Sequence, residues 1–278
     1  YNICPDREKS VVCRDIRKLD IEKLGEISPI DALAFGFPCN DFSVVGEQRG
    51  INGIYGPLYA YGIKTLNIFK PQWFLAENVG GLRNSNDGKA FVKILEELKY
   101  SLDENKILVS LATGVSIKDM QSIIGDKIPI LRALPNTATG VSESLTCICA
   151  NDEYASKHLE EIKSLFEKIG ETVFIKEDLM EGATVLGACG IAYVMRFIRA
   201  MVQGGIEIGF DAKTASFIAN QTVKGAAQLL ILGNTHPEQE IDKVTTPRGC
   251  TIAGLNEMEH QGFSSSLIKG IILSLIHI

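Results

Sequence analysis

Several things are scarce in this 278-residue sequence. No apolar run approaches the roughly 20 residues that a membrane-spanning helix needs, and no secretory leader is recognisable. The chain therefore reads as cytoplasmic, with no membrane partner. Seven cysteines are scattered without a single C-x-x-C pair. That pattern excludes a ribbon-type zinc site and a disulfide framework, and fits reduced thiols; no metal is expected. Cys147 and Cys149 are two apart, as on one strand face. The net charge is only −6, so nothing pulls the whole molecule toward nucleic acid. There is no G-x-G-x-x-G turn, which excludes a self-contained dinucleotide cradle.

What is present suffices for folding. At 45% hydrophobic and 22% charged residues, the chain can bury one large or two modest cores. It opens on Tyr1, which reads as the inside of a continuing domain. In the first hundred residues, VVCRDI (11–16), IDALAFGFPC (30–39) and PQWFLAENV (71–79) are predicted strands. Pro57 to Phe69 is a predicted helix, with Leu58, Ile63, Leu66 and Phe69 apolar. Strands alternating with helices imply a parallel α/β sheet, whose ligands sit at the carboxyl ends of the strands. Asp15, Cys39 and Glu77 fall at those ends.

Cys39 follows a strand and a proline, in a turn of small and polar residues where reactive thiols are found. An isolated cysteine is more often a buried thiol, and Glu77 alone is a solvated strand-end carboxylate. The surroundings change that weighting. GFPCNDFSVVGEQRG (36–50), GPLY (56–59) and ENVGGL (77–82) resemble, in order and spacing, the motifs of DNA cytosine-5 methyltransferases. The likeness runs from about Val11 to Leu98. It implies that Cys39 is the nucleophile that adds to carbon 6 of cytosine, activating carbon 5 toward the methyl group of S-adenosylmethionine. It implies that Glu77 holds the flipped base, that Asn78 supports the base-binding loop, that Pro38 shapes the turn, and that Asp15 lies near the cofactor adenine. DNA is the partner so implied. Asn40 stands where that family usually has glutamine. The family's opening glycine loop and its target-recognition region have no counterpart in these residues.

KAFVKILEELKYSLDEN (89–105) is predicted to be one amphipathic helix, with Phe91, Ile94, Leu95, Leu98 and Leu102 on one face. It is the seam between two kinds of sequence. Beyond it, KILVSLATG (106–114) is a predicted strand, Ser116 a helix cap with Asp119 at the third position, and IPILRALPNTAT (128–139) a strand entering a Pro-Asn turn. SLTCICAN (144–151) and ETVFIKED (171–178) are strands, and 154–170 is a helix closed by Gly170. Helices follow over Ala183–Gln203, Ala212–Leu232 and Thr251–Gln261.

LRALPNTATGVSE (131–143), ATVLGACGIAYVMRFIRAMVQGGIEIGF (183–210), His236-Pro237 and DKVTTPRGCTIAGLNEMEHQGF (242–263) resemble pyrroline-5-carboxylate reductase, the last enzyme of proline synthesis. The likeness covers about Lys106 to Ile272. Alone, TTPRGCT is an ordinary helix-capping loop and GACG a close helix contact; their joint spacing carries the resemblance. A helix N-terminus opening at Thr251 suits a carboxylate, and the imino-acid substrate has one. The likeness implies that Thr246 and Thr251 supply hydroxyls, Gly249 and Cys250 backbone amides, and Asn136, Gly187 and Gly190 contacts to NAD(P)H. Thr251 would lie near the ring nitrogen that is protonated. Arg248 replaces a usual glycine, and GACG replaces a Gly-Ser-Gly pattern. His236 and His260 read as cap or surface residues, and Met180, Met195, Met201 and Met258 as core. The dinucleotide loop that should open this half is replaced by the methyltransferase-like piece.

The expected fold class is α/β, a Rossmann-like parallel sheet that is a hybrid of two partial sheets, followed by an all-helical dimerisation domain. The expected parts are a partial methyltransferase domain (1–100), a partial Rossmann domain (101–178), a helical dimerisation and substrate domain (179–272), and a tail (273–278) that reads like a translated library adapter. Three readings stand side by side: a spliced reading frame with two incomplete enzymes, a genuine bifunctional protein, and a non-catalytic helical dimer scaffold.

Overall fold

The computed structural model describes residues 15–25, 30–36, 56–77, 89–103 and 105–277. The chain divides into two compact units, 1–132 with 150–159, and 133–149 with 160–278.

In the first unit, a short helix α1 (Ile21–Gly25) precedes strand β1 (Ala32–Gly36), helix α2 (Tyr59–Phe69) and strand β2 (Trp73–Glu77). β1 and β2 pair in parallel from Ala32↔Trp73 to Gly36↔Glu77. The expected α2 face is observed: Ile63 and Leu66 are buried together with Tyr59. Gly62 lets α2 close on the strand, since a Cβ there would sit 2.2 Å from the Phe35 ring. Tyr59, Ile63 and Ala90 form a small core with Phe35 and Ile94 packed against it.

The seam helix α3 is shorter than its apolar pattern predicts. It runs Lys89–Leu98, then tightens into a 3-10 turn over Lys99–Ser101. Leu102 is extended, its N–H returning to the Lys99 carbonyl. That turn is fastened from both sides in sequence. The Tyr59 hydroxyl donates to Glu97 (2.8 Å) and Ser101 to Asn67 (2.8 Å), while Lys99 Nζ donates to the Ile123 carbonyl (3.3 Å). Burial, then the Glu97 carboxylate, push the Tyr59 phenol well above its ordinary range.

Strands β3 (Leu108–Ser110) and β4 (Ile130–Leu134) pair in parallel, Leu108↔Ile130 to Ser110↔Arg132. Between them lies α4 (Ile117–Ile124), opened by the expected capping box of Ser116 and Asp119. The strand order of this second sheet is β3-β4-β5-β6, with β5 at Ser144–Ala150 and β6 at Gly170–Phe174. Ile130 to Ala133 are all buried, as befits parallel strands covered on both faces. The predicted helix 154–170 is broken: α5 (Glu153–Ser156) stops at a turn, and α6 (Leu159–Phe166) follows. Asp152 caps α5 and also accepts from Gln121 Nε2 at 3.0 Å.

In the second unit, β5 (Ser144–Ala150) and β6 (Gly170–Phe174) pair in parallel, Ser144↔Gly170 to Ile148↔Phe174. Gly170 therefore opens a strand and does not close a helix. Its φ is +146, and a Cβ would lie 2.0 Å from the Ser144 carbonyl oxygen. Cys147 and Cys149 are both buried, as are Thr146 and Ile148 between them; both faces of β5 are covered. Burial pushes the Cys147 thiol up.

After a 3-10 turn at Glu177–Leu179, the chain is helical. α7 (Met180–Ala183) passes through a π turn (Thr184–Cys189) into α8 (Gly190–Glu207). The helical run Glu177–Glu207 holds an 18-residue window with a mean hydropathy of 1.6, long and apolar enough to cross a membrane by length and composition. That corrects the expectation that no run approaches such length. α9 (Ala212–Gly233) is capped by Asp211 and ends at left-handed Asn234. It packs on α8 around Val202, Ala215 and Ala219, and Gly205 admits the close approach of Ala215. α10 (Pro237–Val244), α11 (Cys250–His260) and α12 (Phe263–Ile276) complete the unit. His236 caps α10, its Nδ1 accepting from the Glu238 N–H, with Pro237 in the first turn. Ser274 lies within α12, and its hydroxyl meets that of Tyr193 at 2.6 Å. Met180 is buried as expected, but Met195 and Met258 are 63% and 43% exposed. They lie on helix faces that a single copy of the chain leaves uncovered.

Candidate functional site

Of the N-terminal candidates, Glu77 and Asp15 lie among the described residues. Glu77 ends β2 opposite Gly36, the last residue of β1, and a Cβ on Gly36 would lie 3.3 Å from Glu77 Oε2. The exposed carboxylate thus stands beside the strand end that leads toward Cys39. Pro38, Cys39 and Asn78 lie outside the described residues, as does most of the predicted strand 11–16. Asp15 is the first of the described residues. It caps a 3-10 turn (Ile16–Lys18), and both its oxygens accept from the Arg17 guanidinium, at 2.7 Å from Nη2. Those bonds hold its carboxyl at about 2. This depressed group favours the folded turn above the ordinary carboxylate range, and the preference is lost as pH falls through 2.

The C-terminal candidates form two clusters in the second unit. The first is the turn between α10 and α11. The Gly249 N–H returns to the Thr246 carbonyl at 2.9 Å, and Gly249 is the N-cap of α11 without a side-chain cap. A Cβ on Gly249 would lie 2.5 Å from Thr246 Oγ1, so glycine is what lets the threonine hydroxyl fold beneath the helix start. No acidic residue occupies the first turn of α11, leaving its positive end open to an anion. Thr251 and Cys250 are exposed there. Arg248 sits at φ +61, which costs a residue with a Cβ about 1–2 kcal/mol. Arg248→Gly is expected to stabilise the chain by about 0.5–1 kcal/mol in urea unfolding; an unchanged midpoint would refute this strain.

The second cluster joins Asn136 to the π turn. Asn136 ends the β4 connection and caps a 3-10 helix (Thr137–Val141), its Oδ1 accepting from the Ala138 N–H. Its Nδ2 donates to the Gly187 carbonyl at 3.1 Å. A Cβ on Gly187 would meet nothing within 4 Å, and one on Gly190 only the Val185 carbonyl at 3.9 Å. Open space beside both glycines is what a flat ring approaching the backbone requires. Two residues picked separately in sequence are thus brought together, whereas no hydrogen bond among the described residues ties them to the Thr246–Thr251 turn. Sequence reasoning missed the π turn and Ser144; GACG reads as helix whether its turns are α or π.

Residues 177–275 match the family model for pyrroline-5-carboxylate reductase dimerisation, and residues 3–115 match that for C-5 cytosine-specific DNA methylase. The chain joins a DNA methylase segment to a pyrroline-5-carboxylate reductase segment. Pyrroline-5-carboxylate reductase 1 and 2 of Dictyostelium discoideum are 48% and 42% identical to it, over 65% and 66% of this chain. It spans 35% of the length of the first and 66% of the second. Type II methyltransferase M.BbvI of Brevibacillus brevis is 62% identical over 35% of this chain and 26% of its own length. In fold, the chain resembles the NADP-bound Plasmodium falciparum pyrroline carboxylate reductase, at a TM-score of 0.66 and 22% identity. That likeness covers 88% of this chain and 97% of the other, more than residues 106–278 alone could supply. The methylase match extends past the seam helix to residue 115, beyond the Leu98 limit read from motifs.

Proposed function

We propose that the reductase segment keeps a binding site for the carboxylate of 1-pyrroline-5-carboxylate, while the chain as a whole reduces it below detection. The observation that carries the site is the Thr246–Gly249 turn with the open N-terminus of α11. Thr246 and Thr251 offer hydroxyls to the carboxylate, and Gly249 and Cys250 offer N–H groups. Thr251 stands near the ring nitrogen that takes up a proton. Asn136, Gly187 and Gly190 fit the nicotinamide end of NAD(P)H, which supplies the hydride when bound. The stretch that would cradle its pyrophosphate is methylase sequence, and that leaves the cofactor half-held.

The methylase segment is read the same way. Cys39 is its nucleophile, Glu77 and Asn78 serve a flipped cytosine of DNA, and Pro38 and Asp15 serve S-adenosylmethionine, the methyl donor when bound. With these pieces alone, methyl transfer is below detection. The parts are a methyltransferase portion (1–100), a partial Rossmann portion (101–178), a helical dimerisation and substrate portion (179–272) and an appended tail (273–278). The chain is a cytoplasmic homodimer or higher oligomer, with no membrane role for its apolar helices.

A second reading, a non-catalytic helical scaffold, is favoured by the many exposed apolar side chains of α8, α9 and α12. The test follows NADPH oxidation with pyrroline-5-carboxylate in the full chain and in Thr251→Ala. No turnover above buffer in either is expected. Turnover abolished by Thr251→Ala would overturn the proposal and show a working reductase. Trapping of Cys39 on a fluorocytosine duplex would overturn the reading of the methylase segment.

A further inference from the structure

We propose that Ser144 is a positioning residue for the π turn, acting through Asn136. Ser144 is 1% exposed, yet its hydroxyl has two uses in one place. Its Oγ accepts from the Asn136 N–H at 3.0 Å and donates to the Asn136 carbonyl at 3.3 Å. The backbone of Asn136 is thereby clamped to the start of β5. Its side chain is then divided. Oδ1 accepts from Ala138 N–H at 3.0 Å and Nδ2 donates to the Gly187 carbonyl at 3.1 Å.

The far end of this relay is unusual backbone. In the π turn the Gly190 N–H reaches Val185, five residues back, so acceptors are displaced by one from the α pattern, a feature often found at functional sites. Asn136 serves one of those carbonyls. Without it, Gly187 would have to satisfy its carbonyl from the helix alone, and the run would relax toward ordinary α geometry. Ser144 itself is seated by the main chain: its N–H donates to the Ile169 carbonyl at 3.0 Å, and Gly170 opposite leaves no room for a Cβ. The relay thus runs from the buried hydroxyl at the start of β5, through the Asn136 amide beyond β4, to Gly187, which has open space beside it. That this space receives a nicotinamide rests on the proposed function; the relay does not.

The test is hydrogen–deuterium exchange of the full chain, read by peptide. Ser144→Ala removes the clamp. Asn136→Asp keeps the cap on Ala138 but replaces the donor to Gly187 with an acceptor. Each variant is expected to speed exchange over residues 184–191 roughly fivefold to tenfold, the loss of about one hydrogen bond. Asn136→Asp is expected to leave 137–141 unchanged, and Ser144→Thr, which keeps the hydroxyl, to return 184–191 to the parent rate. Unchanged exchange over 184–191 in both variants would overturn the proposal. So would a rise in Ser144→Ala spread evenly over β5 and β6, the mark of a merely structural serine. Absence of reductase turnover bears on neither outcome.

Discussion

Gly170→Ala is expected to be the most damaging glycine-to-alanine change among the described residues, lowering stability by about 3–4 kcal/mol. Two independent terms add. A φ of +146 is glycine territory, and the new Cβ would fall 2.0 Å from the carbonyl oxygen and 2.4 Å from the nitrogen of Ser144. Neither clash can be relieved by turning a side chain, because both partners are backbone. Relief requires Ser144 and Gly170 to part, which undoes the first pair of the β5–β6 ladder. The measurement is urea unfolding followed by far-ultraviolet circular dichroism. Gly182→Ala is the control. Gly182 lies in α7 with nothing within 4 Å of an added Cβ, and alanine there is expected to be neutral or to stabilise by up to about 1 kcal/mol. A Gly170→Ala midpoint within error of the parent would refute the close-contact account.

The second large effect concerns association. Light scattering of the full chain is expected to give at least twice the 30.3 kDa of one copy. Introducing charge at Phe217 and Ile231 is expected to shift that mass to a monomer. Both side chains are 71% exposed on α9, in the segment that matches the reductase dimerisation family. A phenylalanine and an isoleucine together are worth about 3–6 kcal/mol when removed from water. An aspartate at each position forfeits that gain and adds a desolvation penalty. The exposed methionines argue the same way: Met195 and Met258 have the chemistry of core residues and find no core within one copy. A parent chain at 30.3 kDa would sink this expectation, as would a Phe217→Asp, Ile231→Asp chain with the parent's mass.

Much of the local structure is readable from sequence because its causes are local. Ser116 and Asp119 close their capping box within one turn, His236 is a cap, one of the two roles read for it, and the apolar spacing of α2 sets its buried face. Where the reading failed, the cause was distant or degenerate. The seam helix keeps an apolar period as far as Leu102 but stops at Leu98 and tightens into a 3-10 turn, where the Lys99 and Ser101 side chains reach Ile123 and Asn67. Gly170 resembled a helix terminator because the same residue serves a terminator and a close strand contact. Only its partner at Ser144 decides between them. At the candidate site, threonine and glycine types at family spacing were legible. The Ser144–Asn136–Gly187 relay was not, because it joins residues 8 and 51 apart.

The fastening of α3 bears on how the chain comes to its fold. Tyr59–Glu97, Asn67–Ser101 and Lys99–Ile123 span only 38, 34 and 24 residues. The entropy of closing such loops grows only slowly with their length, by about 0.6 kcal/mol for each doubling. The junction between the two family segments is thus held by contacts on both of its sides. On the ribosome, the methylase segment and the opening of the reductase segment can dock on a common helix before the β5–β6 ladder or the long helices have been made.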